Sequence, residues 1–155
     1  MRIRPATNGD ADAIRRVVFG VLAEFGLNAE HRDVDVDLDD IEANYFATGG
    51  LFEVVEDQKG EIVGTVGLFA KGNGVCELRK MYLLPAMRGK GWGRQLLDRT
   101  LVEARRRGFT RMELETSSKL FEAIKLYERN GFQRFSAPHL ACRCDEAYYL
   151  ELRES

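Results

Sequence analysis

A mixed β-sheet with helices on both faces is the architecture that this sequence predicts. Three observations lead there. Apolar segments of strand length alternate with segments whose apolar residues recur every three or four positions. Several neighbouring strand segments are joined by tight turns, so much of the sheet is antiparallel. One strand–helix–strand crossover spans residues 76–115, and such a crossover sets its two strands parallel. The expected fold class is α/β with α+β character: a central sheet of about six to seven strands in a single domain over residues 1–155.

Composition narrows the function. With 155 residues, 45% of them hydrophobic and 31% charged, the chain can bury a core and has the balance of a globular protein. A net charge of −2 argues against a dedicated nucleic-acid binder. No apolar run approaches the roughly 20 residues of a membrane span, so no membrane partner is expected. The opening MRIRPATNGD lacks the apolar stretch of a leader, which points to the cytoplasm. Three cysteines, Cys76, Cys142 and Cys144, make no disulfide framework and suit a reducing compartment. Cys142-x-Cys144 is not zinc spacing, and no metal is expected.

In chain order, Arg2–Ala6 alternates as a short strand that Pro5 keeps at an edge. Asp10 is placed to cap a helix with Ile14, Val17, Val18, Val21 and Leu22 on its inner face, which Gly26 ends. HRDVDVDLDD over residues 31–40 has the alternating acids of a calcium loop. Leu38 and Asn44 stand where that loop needs Gly and Glu, so calcium is excluded. Two readings remain for this stretch. One is a solvated acidic loop leading into a helix at Leu38–Ala47; the other is an acidic lip for a cationic substrate. Leu51–Glu56, Ile62–Phe69 and Val75–Leu84 read as a three-strand antiparallel meander, its second turn carried by Lys71-Gly72-Asn73-Gly74. A helix from Gly93 to about Arg107 turns Leu96, Leu97, Leu101 and Ala104 inward, and Arg94, Asp98, Arg105 and Arg106 toward water. Arg111–Glu115 is a strand. Leu120–Arg129 is a helix with Leu120, Ala123, Ile124 and Tyr127 on one face. Strands at Phe132–Phe135 and Ala147–Leu152 complete the sheet.

The chemistry centres on Cys76–Arg94, CELRKMYLLPAMRGKGWGR. A strand, a glycine-rich turn and a helix follow one another there. The first turn of a helix leaves N–H groups without partners, and its dipole adds positive character. Glycines let the backbone close on a phosphate. A phosphate-bearing ligand is therefore expected at Arg88, Gly89, Lys90, Gly91, Trp92, Gly93 and Arg94. The chain contains no G-x-x-x-x-G-K-[ST] loop, and Arg94 stands where a dinucleotide fingerprint needs its third Gly.

Arg88-x-x-Gly91-x-Gly93 after Leu83-Leu84-Pro85 resembles the pyrophosphate loop of the GNAT superfamily of acetyl-CoA-dependent N-acetyltransferases. A second stretch, Ala123-Ile124-Lys125-Leu126-Tyr127-Glu128-Arg129-Asn130-Gly131-Phe132, is similar to that family's A-x-x-L-Y-E-x-x-G-F segment. The order of elements agrees across nearly the whole chain and is least informative at 26–50 and 136–146. The resemblance implies a GNAT-like fold, acetyl-CoA as donor and a small-molecule amine as acceptor. It implies that the backbone of Met81, Tyr82 and Leu83 pairs with the pantetheine arm, and that N–H groups from Arg88 to Gly93 hold the pyrophosphate. It also implies that Tyr127 protonates the leaving thiolate. Dimerisation is common in the family, so a homodimer is open. One departure is Leu120, where the family often carries an Asn that contacts the cofactor.

An alkyl ammonium has a pKa near 10.4, so amine acetylation benefits from a proton acceptor. Glu77 is the candidate; the alternative is an ordinary strand carboxylate paired with Arg79 or Lys80. Strict alternation puts Glu77, Arg79 and Met81 on one side of the strand and Leu78, Lys80 and Tyr82 on the other. Tyr127 has its own alternative, a core tyrosine on an amphipathic helix. An N–H near Tyr82 would meet the developing oxyanion if the strand bulges there. Cys76 reads as a small buried hydrophobe, so direct transfer in a ternary complex is expected. Two other functions compete: a catalytically silent acyl-CoA-binding module and a nucleotide-phosphate enzyme.

Overall fold

The computed structural model describes residues 1–29, 35–141 and 143–152; the expectations that fall on His31, Asp33 and Cys142 lie outside them. Seven strands form one mixed sheet: β1 (Arg2–Pro5), β2 (Leu51–Glu56), β3 (Ile62–Gly72), β4 (Val75–Leu83), β5 (Arg111–Thr116), β6 (Gln133–Phe135) and β7 (Glu146–Glu151), in the order β1-β2-β3-β4-β5-β7-β6. Every neighbouring pair is antiparallel except β4 and β5, the expected crossover. Pro5 lies on the outer strand. The β3–β4 hairpin turns at Asn73 and Gly74, with φ of 56° and 78°, the left-handed pair whose twist matches that of the strands it joins.

Helices cover both faces. On one, α1 (Ala11–Glu24) packs Ile14, Val18 and Leu22 against Phe52, Val54 and Tyr45. On the other lie α2 (Trp92–Arg106) and α3 (Phe121–Arg129), with Leu96, Leu97, Leu101, Ala104 and Tyr127 against Leu68, Leu78, Met112 and Leu114. In α1 and α2 the residues picked out by helical spacing are buried, because a surface helix is held by its apolar stripe; in α3 only Tyr127 is, with Leu120, Ala123 and Ile124 half-buried. Gly26, at φ 71°, ends the first helix as expected.

Two expectations are corrected. Residues 38–47 do not form a regular helix. A 3₁₀ turn at Val36–Asp39 and a wide turn at Glu42–Phe46 replace it, separated where Asp40 Oδ1 accepts from Ala43 N at 3.0 Å. Nor is the acidic loop solvated throughout: Asp35 and Asp37 are buried, while Asp39 and Asp40 are exposed. The second correction concerns β4. Thr65 opposes Tyr82 and Gly67 opposes Arg79, so β4 has one residue more than β3 there. Lys80 takes φ 54°. A bulge of this kind reverses side-chain parity beyond it. Cys76, Leu78, Met81 and Leu83 therefore face α2, while Arg79, Lys80 and Tyr82 all face the α1 side.

Candidate active site

β4 and β5 touch over three residue pairs only: Val75–Arg111, Cys76–Met112 and Glu77–Glu113. Beyond Glu77 they part. The bulge at Lys80 bends β4 away, and β5 continues in full pairing with β7. The gap opens into a cavity of about 1110 Å³. Its walls include Glu77–Leu83 of β4, Arg88, Gly89, Gly91, Gly93 and Arg94 of the glycine-rich turn, Glu115–Ser117 after the parting, Leu120 at the start of α3 and Tyr127 within it. The edge of β4 from Leu78 to Leu83 thus has no strand neighbour on the cavity side, and its backbone groups there can pair with an extended ligand.

The turn has the form of an anion cradle. Gly89 and Gly91 stand at φ 74° and 85°, with Gly91 as the N-cap of α2. Arg88 N–H bonds Pro85 O at 3.2 Å, and the next N–H in this stretch with a backbone acceptor is that of Gln95, to Gly91 O at 3.1 Å. The donors between them converge on the open start of a fifteen-residue helix. A side chain on Gly89 or Gly91 would meet nothing within 4 Å; glycine is needed there for the left-handed backbone. Trp92 packs partly buried against the α2 core, and neither it nor exposed Lys90 lines the cavity. Arg88 does not offer a free cation. Its guanidinium holds Glu24 at 2.6 and 2.8 Å and its Nε donates to Leu83 O at 3.1 Å, so it braces the turn against the end of α1.

Tyr127 lies in the opposite wall, buried, its ring 5.7 Å from that of Phe132. Its hydroxyl makes no hydrogen bond among the described residues. Burial, with the Tyr82 phenol nearby, pushes its pKa well above that of a free phenol. It therefore stays protonated and can donate. Tyr82 is pushed up to about 12, chiefly by burial. Cys76 is fully buried and its thiol is raised to about 12, which leaves it a poor nucleophile.

Glu77 is buried at the fork. Arg79 Nε donates to its Oε1, and Lys71 Nζ stands 3.8 Å from its Oε2. The guanidinium of Arg79 also lies 3.8 Å over the Phe69 ring. Next to this pair, Lys80 Nζ contacts Asp35 Oδ1 at 2.6 Å and Asp37 Oδ1 at 3.5 Å. Arg143 grips Asp35 through two bonds, of 2.7 and 2.9 Å. The Tyr45 hydroxyl donates to Asp37 Oδ2.

The model of the acetyltransferase (GNAT) family matches residues 21–132. The chain belongs to the GNAT acetyltransferase family. Among its relatives, the uncharacterized N-acetyltransferase YjgM of Escherichia coli is 43% identical over 136 residues, covering 84% of this chain and 81% of that one. A GNAT acetyltransferase structure from Staphylococcus aureus superposes with a TM-score of 0.91 at 25% identity, over 98% of this chain and 99% of that one. The yncA structure from Salmonella typhimurium, solved with its cofactor acetyl-CoA, matches with a TM-score of 0.74 at 29% identity, over 100% of this chain and 95% of that one.

Three polar residues of the site were not read as a cluster in the sequence: Asp35 entered only within the acidic run, Lys80 only as a possible partner of Glu77, and Arg143 not at all. They come from distant parts of the chain and meet only across the bulge. Only the alternating acids of residues 35–39 hinted at them, and those read equally well as a solvated run.

Proposed function

We propose that the protein takes the acetyl group from acetyl-CoA and passes it directly to the primary amine of a small acceptor, with no covalent intermediate on the chain. The observation that carries the reading is the hydroxyl of Tyr127. It is buried, protonated and without a protein partner among the described residues, in the wall of a cavity whose far end is the glycine-rich cradle. The cofactor fits this cavity. Backbone N–H groups from Gly89 to Gly93, with Arg94 beside them, hold the pyrophosphate, the Arg88 N–H being taken by Pro85 O; Met81, Tyr82 and Leu83 pair with the pantetheine arm through the free edge of β4. The bulge at Lys80 supports an N–H near Tyr82 as the donor to the developing oxyanion. The amine nitrogen bonds to the carbonyl carbon and the carbon–sulfur bond breaks. Tyr127 gives its proton to the departing sulfur and recovers one from solvent. Glu77 takes the proton that the amine loses, through water, from its place at the fork beside Arg79 and Lys71.

The test is release of free thiol from acetyl-CoA in the presence of a panel of primary amines, with Tyr127→Phe alongside. The proposal expects turnover by the wild type and a loss in kcat at saturating substrates in the variant. An unchanged kcat removes Tyr127 from its role. Tight acetyl-CoA binding with no turnover of any amine would favour a module that holds acyl-CoA without reacting it, a reading to which Leu120 on the cavity wall lends support.

A further inference from the structure

The end of the cavity away from the cradle carries a chemical preference of its own. Leu27, Val36, Phe69 and Leu140 line it around the Asp35–Arg143 pair, whereas Phe25 lies toward the cradle, its ring 5.3 Å from the Arg88 guanidinium. Two of them, Val36 and Leu140, are among the few large apolar residues left exposed, at 46% and 37%. They sit on separate loops, before β2 and before β7. Arg143 ties those loops together: it grips Asp35, next to Val36, and donates to Asn28 O, next to Leu27, at 3.4 Å. The apolar residues are thus held open to the cavity by a buried ionic staple.

The charged groups described at this end each have a partner: a cation for Asp35, Asp37 and Glu77, and a backbone N–H for Glu115. Asp35 is shared by Lys80 and Arg143, with side-chain exposures of 0%, 3% and 8%. Asp37 bonds Tyr45, and Glu77 bonds Arg79, which also covers the Phe69 ring. Glu115 Oε1 accepts from Ala141 N at 2.8 Å. To bind a second charge on an acceptor, one of these groups would have to leave its partner buried and uncompensated, which is costly.

We infer that the acceptor is a primary amine with an apolar body and no second charged group. This deepens the acetyltransferase reading and rests on it. The acidic stretch does not select a cation, because its inner carboxylates are already paired. Selection falls to the apolar walls, where each methylene removed from water is worth a roughly fourfold gain.

Straight-chain alkylamines from propylamine to heptylamine test this, since their ammonium pKa values are close to one another and only apolar length changes. Putrescine and 2-aminoethylphosphonate supply a second cation and an anion. Thiol release from acetyl-CoA should give a kcat/KM that climbs about fourfold per methylene until the pocket is filled, with both charged amines at least tenfold below hexylamine. Val36→Glu and Leu140→Glu change exposed positions; each should flatten the climb while the acetyl-CoA affinity, read by calorimetry, stays as in the wild type. A flat length dependence in the wild type, or a preference for either charged amine, overturns the inference and leaves the acetyltransferase reading intact. Acetyl-CoA binding with no alkylamine turned over also overturns it. So does a preference for hexanoyl-CoA over acetyl-CoA, which would assign the apolar walls to the acyl chain. Failure to bind acetyl-CoA at all removes the reading beneath it as well.

Discussion

Tyr127 and Asp35 are both buried polar residues, and they answer to substitution in opposite ways. The Tyr127 hydroxyl has no partner to lose among the described residues, so Tyr127→Phe should leave the urea unfolding midpoint close to that of the wild type. The same change should lower kcat by about 10²-fold or more, the usual worth of a positioned acid. Measured together, the two separate a chemical role from a packing one. Asp35→Ala removes the common partner of Lys80 and Arg143 and leaves two buried cations facing each other. Breaking a buried pair in this way costs about 3–5 kcal/mol. Urea unfolding should show a loss of that size, and any alkylamine dependence should weaken as Val36 and Leu140 lose their anchor. Tyr127 is legible in the linear chain because its neighbours form a contiguous segment. Asp35 is not, since its partners Lys80 and Arg143 are 45 and 108 positions away.

At the scale of elements, the site is made by two departures from regularity. One is the start of α2. Gly91→Ala places a β-carbon on a residue at φ 85°, a strain of roughly 1–2 kcal/mol, and shifts the donors that face the anion. Calorimetry should show acetyl-CoA affinity falling about tenfold, which corresponds to 1.4 kcal/mol, with little change in the fold. The other departure is the bulge at Lys80. Regular alternation along β4 put Lys80 and Tyr82 opposite Glu77 and Arg79. One extra residue brings all four to the same side, and it is this reversal that gathers the polar cluster. Nothing local announces it, because Lys at a left-handed φ is held there by its partners: Nζ by Asp35, and its carbonyl by Thr65 Oγ1 at 2.6 Å. Where elements are regular, the sequence reading was close. The meander, the parallel crossover and the buried faces of α1 and α2 follow from period and turn chemistry, with ends displaced by one to three residues. Residues 36–46 deviate because burial of Asp35 and Asp37 outweighs the helical spacing.

At the scale of the whole molecule, the cavity is a seam. β4, with Phe69 of β3, forms one wall, and the end of β5 with α3 forms the other. A ligand bound along it bridges both, so binding should stabilise the entire fold. At a hundredfold excess of acetyl-CoA over its Kd, linkage gives about 2.7 kcal/mol, and thermal unfolding should shift upward by several degrees. A calorimetric scan with and without the ligand checks this; coenzyme A alone, which keeps the pyrophosphate and pantetheine, should give most of the shift. Among the described residues, no helix is long and apolar enough to cross a membrane.

The sequence by itself determined the sheet-and-helix order, the glycine turn that opens α2 and the placement of Tyr127 on α3. These depend on periodicity and on contiguous motifs, which a linear chain carries locally. Only the tertiary structure decided that Arg88 braces Glu24, that Lys80 turns inward onto Asp35 and that Asp35 of the acidic loop lies inside with Arg143. Each is a contact between charges far apart in the chain, and burial sets its energy. Burial is a property of the assembled molecule, and no single segment carries it.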